Sequence, residues 1–197
     1  MTRMRVFIMA WFFLVGIIGT GLIGPVRVDV EREYGLSHSA FGLRLALTQI
    51  LFSACLLLAV APLLRTIRRV IVMALSLALG CVALAIVFLT HSAFGFYAGW
   101  AAMMASQMLS STTNNLSMDL WPANPRRGLL LLHSWKGAGK VGGPLLAAGC
   151  LATLGWRGGY QAAAALNGAL LAGLFFCWKD AWRLDAQNLP ASQTPPA

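Results

Sequence analysis

Long apolar runs separated by short polar turns dominate the pattern of residues along the chain. Six such runs of 19 to 27 residues cover about 6–24, 41–64, 70–89, 93–118, 128–154 and 158–178. At about 1.5 Å of rise per residue, each run can cross a hydrocarbon layer of about 30 Å as an α-helix. None shows the alternation typical of a transmembrane barrel. The pattern therefore predicts an all-α polytopic membrane protein with six transmembrane helices.

Composition narrows the class of protein further. Apolar residues make up 58% of the chain and charged residues 11%, against about 25% charged residues in an average soluble domain. This excludes a soluble globule and also a disordered chain, which needs low hydrophobicity. The formal net charge of +9 arises from basic residues in short loops, which is typical of topology signals rather than of a nucleic-acid surface. The lipid bilayer is the expected partner, and nucleic acid is not.

The basic loop residues predict the orientation in the membrane. One side carries nine: Arg3, Arg5, Arg65, Arg68, Arg69, Arg126, Arg127, Lys179 and Arg183. The other side carries four: Arg27, Arg32, Arg44 and Arg157. We therefore predict an integral protein of a bacterial inner (plasma) membrane with both termini cytoplasmic. The first run is too long for a signal peptide and lacks a following A-x-A site, so we predict a retained helix.

The membrane domain is predicted to span residues 1–184, followed by a disordered cytoplasmic tail over 185–197 that contains three prolines. The first run is expected to stop at Pro25. The connection after it, residues 25–40, is then the longest external loop and holds Asp29, Glu31 and Glu33.

A basic stripe lies inside the fifth run. Lys136 and Lys140 are one helical turn apart, and His133 precedes Lys136 by three residues. Lys140 is roughly 18 Å along the helix from Gly128, near mid-bilayer, and charges at that depth are costly and usually functional. The alternative is that the lysines extend to the cytoplasmic interface, which suits Lys136 better than Lys140. Lys140 is therefore the lysine that we expect to be essential for binding an anion.

A second polar stripe lies on the fourth run. Its members at helical spacing are Gln107, Ser111, Asn114 and Asn115, and Gln49 lies on the second run. These side chains are candidates for contacts with a solute, or for hydrogen bonds between helices. No Asp or Glu lies inside any apolar run. A basic face inside the membrane without carboxylates predicts an anionic solute.

No pattern predicts catalysis, a cofactor or a metal site. The four cysteines lie singly within apolar runs, and we interpret them as small buried hydrophobic residues. Gly137-Ala-Gly139-Lys140 lacks the spacing and the preceding strand of a phosphate loop. We expect the protein not to be an enzyme.

Short motifs in a fixed order carry a family resemblance. They are GTGLIGP, YGLSHSAFG, LLRTIRR, WPANPRRG, GKVGGPLLAA and GWRGGY. Their order and spacing over about residues 6–178 resemble the N-terminal six-helix half of the major facilitator superfamily of secondary transporters. The resemblance implies two three-helix inverted repeats. It also implies a cavity that faces helices 1, 2, 4 and 5, with helices 3 and 6 at the periphery.

The arginine-rich turn departs from the family pattern. Arg65, Arg68 and Arg69 match its basic positions, but Leu64 replaces the acid and Ile67 replaces the second glycine. In the family that acid helps to latch the turn to the opposite half, so the resemblance does not extend to this gating contact. The alternative is that the three arginines only fix the orientation.

The fifth run resembles the family motif G-x-x-x-G-P-x-x-G-G, associated with antiporters. Gly139, Gly143 and Pro144 match it, and alanines replace the last two glycines. Small residues four apart allow two helix backbones to approach closely, and the proline bends the helix. Helix packing alone is the alternative to a role in gating.

Two functional hypotheses follow. The first is a half-size major facilitator-type transporter that moves a small solute, expected to be anionic, by alternating access after pairing as a homodimer or with a second half. The second is a non-transporting remnant, or an accessory subunit that binds another membrane protein.

Overall fold

The computed structural model describes residues 2–64, 67–111 and 119–187. Within these ranges the regular structure is helical, which confirms the all-α prediction. The helices are α1 (Thr2–Gly16), α2 (Ile23–Glu33), α3 (His38–Leu64), α4 (Arg69–Leu89), α5 (Ala93–Ser111), α6 (Pro125–Leu154) and α7 (Trp156–Gln187), with a π-helical turn, Ile17–Gly21, between α1 and α2. Helices α3 to α7 correspond to the second to sixth apolar runs.

The sequence predicted that the first helix stops at Pro25, but the chain remains helical beyond this residue. The π-helical turn ends the hydrogen-bond pattern of α1, and α2 begins at Ile23. Pro25 is therefore in the first turn of a new α-helical segment, where its missing N–H and fixed φ cost little. The residues predicted as a long loop are instead helical up to Glu33, and the connection to α3 is short.

The other end of the chain also differs from the prediction. Helix α7 continues to Gln187, so the predicted tail does not begin at Asp185. The reason is packing: Ala181 and Leu184 are buried, and Trp182 stacks beneath the Arg68 guanidinium at 3.9 Å. Residues 188–197 lie outside the described part of the chain.

Helices α1 and α6 form one closely packed pair, and α4 packs between α5 and α7. Helix α7 joins the two groups because it also contacts α1 and α6, while α3 packs against α5. Each end of the bundle has its own apolar cluster. Aromatic residues such as Phe41, Phe96 and Trp156 form one cluster, and Ile8, Trp11 and other residues form the second.

Hydrogen bonds from polar side chains join α4 to α5 and α4 to α7. Ser76 of α4 and Ser106 of α5 each donate to the other's carbonyl oxygen, at 2.7 and 2.8 Å. Asn167 of α7 is buried and donates to the carbonyl oxygen of Leu77 at 2.7 Å. With these partners the polar groups do not remain unsatisfied in an apolar interior.

Loops that the basic residues assign to the same side lie at the same end of the bundle. At one end Glu33 pairs with Arg157, which also donates to the carbonyl oxygen of Thr90. At the other end Arg69 pairs with Asp119 at 2.8 Å. We call the latter the arginine-rich end, and it corresponds to the predicted cytoplasmic side.

In the part of the chain that the structure describes, three helices are long and apolar enough to cross a membrane. They are Arg69–Leu89, Trp156–Leu184 and the continuous helical stretch Thr2–Glu33, which comprises α1, the π-helical turn and α2. Membrane crossing by α3, α5 and α6 stays a prediction. Helix α6 in particular carries four arginine and lysine residues, Arg126, Arg127, Lys136 and Lys140.

Candidate functional site

A small cavity lies between α1, α5 and α6, where three of the predicted site residues meet. Its volume is about 50 Å³. It is lined by Trp11, Phe12, Val15, Gln107, Ser110, His133 and Lys136. The polar groups come from α5 and α6, and the apolar wall comes from α1.

Glycines bring α6 against the first helix and so position the basic residues. A Cβ atom at Gly139 would lie 2.0 Å from the carbonyl oxygen of Phe13, and one at Gly16 would lie 2.1 Å from that of Lys136. One turn further, a Cβ atom at Gly143 would lie 2.6 Å from the Cα atom of Gly21. We call these four residues the glycine seam. The backbones touch along it, which places the turn that carries Lys136 beside α1.

Aromatic contacts fix the same face of α6. The rings of His133 and Phe12 meet edge to face, with centroids 6.4 Å apart, and those of Trp135 and Phe13 do so at 6.0 Å. Edge-to-face pairs are a favoured geometry for aromatic rings. The His133 side chain is otherwise exposed, so it can bind a group that enters the cavity.

Gln107 lines the cavity with a side-chain amide. Its Nε2 atom is buried and has no hydrogen-bond partner among the described residues. Its Oε1 atom would lie 3.2 Å from a Cβ atom at Gly19, so the missing side chain of this glycine leaves room for the amide. A buried unpaired amide costs about 1–3 kcal/mol, and a ligand that accepts its hydrogen bond would recover that energy.

The two lysines differ in position. Lys136 is half-buried and lines the cavity, whereas Lys140 is exposed on α6 and does not line it. Gln49 is exposed on α3 and also lies away from the cavity lining. Asn114, Asn115 and the Ser111 side chain lie outside the described part of the molecule.

Sequence reasoning missed Ser110, which is buried and lines the cavity. Its position three residues after Gln107 was the available signal. The apolar wall from α1 was missed as well, because periodicity within one helix does not reveal which other helix lies opposite.

The residues predicted to act in helix packing or gating lie in two parts of the structure. Pro144 lies beside the glycine seam, where its Cδ atom would be 3.3 Å from a Cβ atom at Gly21. The turn at the arginine-rich end holds Arg68 and Arg69, and Arg65 lies outside the described residues. Asp119 supplies a carboxylate to this turn by pairing with Arg69, a partner fifty positions away that the motif comparison did not find.

Residues 2–64, 67–111 and 119–187 contain no cluster of three or more His, Cys, Asp or Glu side chains that could hold a metal ion. The Ser110 hydroxyl donates to the carbonyl oxygen of Gln107 at 2.6 Å, so the cavity offers an ammonium group, an imidazole and an amide. This set can hydrogen-bond to an anionic group and compensate its charge.

Comparison with known proteins identifies the family. A family model described as Major Facilitator Superfamily matches residues 7–195, which confirms the resemblance seen in the motifs. Comparisons with curated proteins and with solved structures give no match. Because the family model covers nearly the whole chain, the protein belongs to the Major Facilitator Superfamily, whose members are membrane transporters rather than enzymes.

Proposed function

We propose that the chain forms one six-helix half of a secondary transporter and binds a small anionic solute at the cavity between α1, α5 and α6. The observation that carries the proposal is the lining of this cavity. Lys136, His133 and Gln107 meet there, and the described residues that line it include no carboxylate. Transport then proceeds by alternating access between this half and a second one.

The electrostatics of the site favour an anion. A lysine within an apolar bundle is weakly screened, so its attraction for an opposite charge is stronger than in water. The buried Gln107 amide adds a hydrogen-bond donor without a partner among the described residues. A volume of about 50 Å³ suits a carboxylate-sized group, so the rest of the solute extends towards the open face of the bundle.

The exposed side of α6 supports a second half. Lys140 is exposed on α6 and lies on the same face of that helix as His133 and Lys136. An ammonium group near the middle of a membrane helix is costly against lipid, and such groups almost always face a bundle interior or a water-filled cavity. We infer that this side of α6 lines the space between two halves.

The membrane arrangement is part of the same proposal. All six predicted helices cross the membrane as two inverted three-helix repeats, with the arginine-rich end in the cytoplasm of a bacterial cell. The second half is another copy of this chain or a separate six-helix unit.

Pairing predicts a specific stoichiometry. Two copies of the 21.1 kDa chain are expected in each lipid nanodisc after reconstitution at low protein-to-lipid ratio, as measured by mass photometry. In a second measurement, the Lys140→Cys variant is expected to form a crosslinked dimer, because the proposal places Lys140 at the interface between the two copies. One chain per nanodisc and no crosslink would contradict self-pairing.

Anion binding predicts a dependence on Lys136. The change is Lys136→Gln, measured by the binding of a panel of small carboxylates and phosphates to the reconstituted protein. Loss of a buried charge partner costs about 2–5 kcal/mol, so we expect affinity to fall by at least about 30-fold. Lys140→Ala is expected to weaken binding less, since Lys140 lies outside the cavity lining.

The matched control is Lys179→Gln, the same change at an exposed lysine on α7. It is expected to bind anions as the unmodified chain does. Equal affinities in the Lys136 and Lys179 variants would show that Lys136 does not bind the solute.

A further inference from the structure

We propose that a groove at the arginine-rich end binds the phosphodiester headgroup of an anionic membrane lipid. This groove lies between α1, the turn at residues 121–124 and α6, and its volume is about 640 Å³. The residues that line it include Arg5, Trp121, Asn124, Arg127, Leu130 and Leu131. None of these residues lines the cavity of Lys136, so the groove is a separate site.

Arg5 is held rigidly at the edge of the groove. Its Nε and Nη2 atoms donate to the carbonyl oxygen of Leu120, at 3.0 and 2.7 Å. Its guanidinium also lies 5.3 Å from the ring centroid of Trp121. Trp121 is fixed in turn against Gly128, where a Cβ atom would come within 2.9 Å of the indole. A guanidinium positioned before binding loses little entropy when it receives an anion.

Arg127 provides the second positive charge. Its backbone N–H donates to Oδ1 of Asn124 at 3.0 Å, which caps the start of α6. Its guanidinium has no carboxylate partner within the described residues. The N-terminus of a helix also favours a negative charge. Charge and helix end therefore act together on one ligand.

The order of groups along the groove indicates a lipid rather than a soluble phosphate. The arginines and Asn124 lie at the end of the bundle, and Leu130 and Leu131 follow along α6 towards its middle. Leu130 is 69% exposed. This sequence of cationic, polar and apolar groups complements a headgroup followed by an acyl chain. Basic pockets between transmembrane helices are known sites for anionic headgroups.

The test is native mass spectrometry of the purified full chain in detergent, titrated with phosphatidylglycerol and separately with phosphatidylcholine. The chain is expected to retain phosphatidylglycerol preferentially. Arg127→Gln is expected to weaken that binding about fivefold, the effect of one basic residue near a lipid surface. Arg126→Gln is the matched control, because this neighbouring arginine is exposed and does not line the groove.

Two further measurements distinguish a lipid headgroup from soluble phosphate as the ligand of the groove. Excess inorganic phosphate is expected to leave the bound lipid in place, and Leu131→Ser is expected to weaken lipid binding while the chain stays monodisperse. Displacement by inorganic phosphate would overturn the lipid assignment in favour of a soluble anion. Equal lipid binding by the Arg126 and Arg127 variants, or no preference over phosphatidylcholine, would overturn the site itself.

Discussion

Gly139→Ala is expected to destabilise the helix bundle by roughly 3 kcal/mol or more, at the upper end of the cost of overpacking. The added methyl group would lie 2.0 Å from the carbonyl oxygen and 2.9 Å from the carbonyl carbon of Phe13. Both atoms belong to the backbone of α1, so no side chain can rotate to relieve the overlap. The two helices must move apart, and the cavity beside the glycine seam must widen. Thermal unfolding in detergent measures the loss.

The control for this prediction lies two residues earlier on the same helix. A Cβ atom at Gly137 would meet nothing within 4 Å. Alanine is the better helix former, so Gly137→Ala is expected to be neutral or stabilising by about 0.5–1 kcal/mol. If both variants unfolded at the same temperature, the close contact between α1 and α6 would be refuted.

Glu33→Ala is expected to lower the free energy of unfolding by about 2–3 kcal/mol and to loosen the end of the bundle opposite the arginines. The Glu33 carboxylate accepts hydrogen bonds from the Trp156 indole at 2.6 Å and from Nη1 of Arg157 at 2.8 Å, and a further one from Nη2 of Arg157. Hydrogen bonds to charged groups contribute about 1.5–3 kcal/mol, and the two donors would lose their partner together. Hydrogen exchange at the turn between α6 and α7 should rise.

Asp29→Ala makes a comparable change on the same helix and serves as the comparison. Asp29 pairs only loosely with Arg32, at 3.9 Å, and the Arg32 side chain is 78% exposed. Such surface pairs contribute about 0–1 kcal/mol. The Asp29 variant should therefore unfold close to the temperature of the unmodified chain. Matching losses in the two variants would mean that Glu33 does not hold α2 to α7.

The apolar runs predicted which parts of the chain are helical because membrane helices need uninterrupted hydrophobic length. They failed at Pro25, since proline usually ends a helix and nothing in local propensity indicates that a π-helical turn will precede it. They also placed the end of the last helix too early. The burial of Ala181 and Leu184 depends on neighbours from other parts of the chain.

The candidate site was predictable within one helix but not between helices. Periodicity placed His133 and Lys136 on one face, and both line the cavity. It ranked Lys140 above Lys136 by depth, whereas the packing of α1 against α6 decides which lysine is enclosed. The same limit applies to Asp119 and Arg69, because helical spacing relates only residues a few positions apart and cannot predict an ion pair across fifty positions.

The π-helical turn in the first helix also determines how the sequence of that helix should be aligned. A π-helical turn holds one residue more than an α-helical turn, so every side chain after it is rotated by about 100° relative to an uninterrupted α-helix. Trp11 and Val15 face the cavity before the turn, and Val26 and Val30 are buried after it. Helical periodicity must therefore be restarted at Leu22, and an alignment of this chain with a transporter whose first helix is regular needs a one-residue gap within Ile17–Gly21.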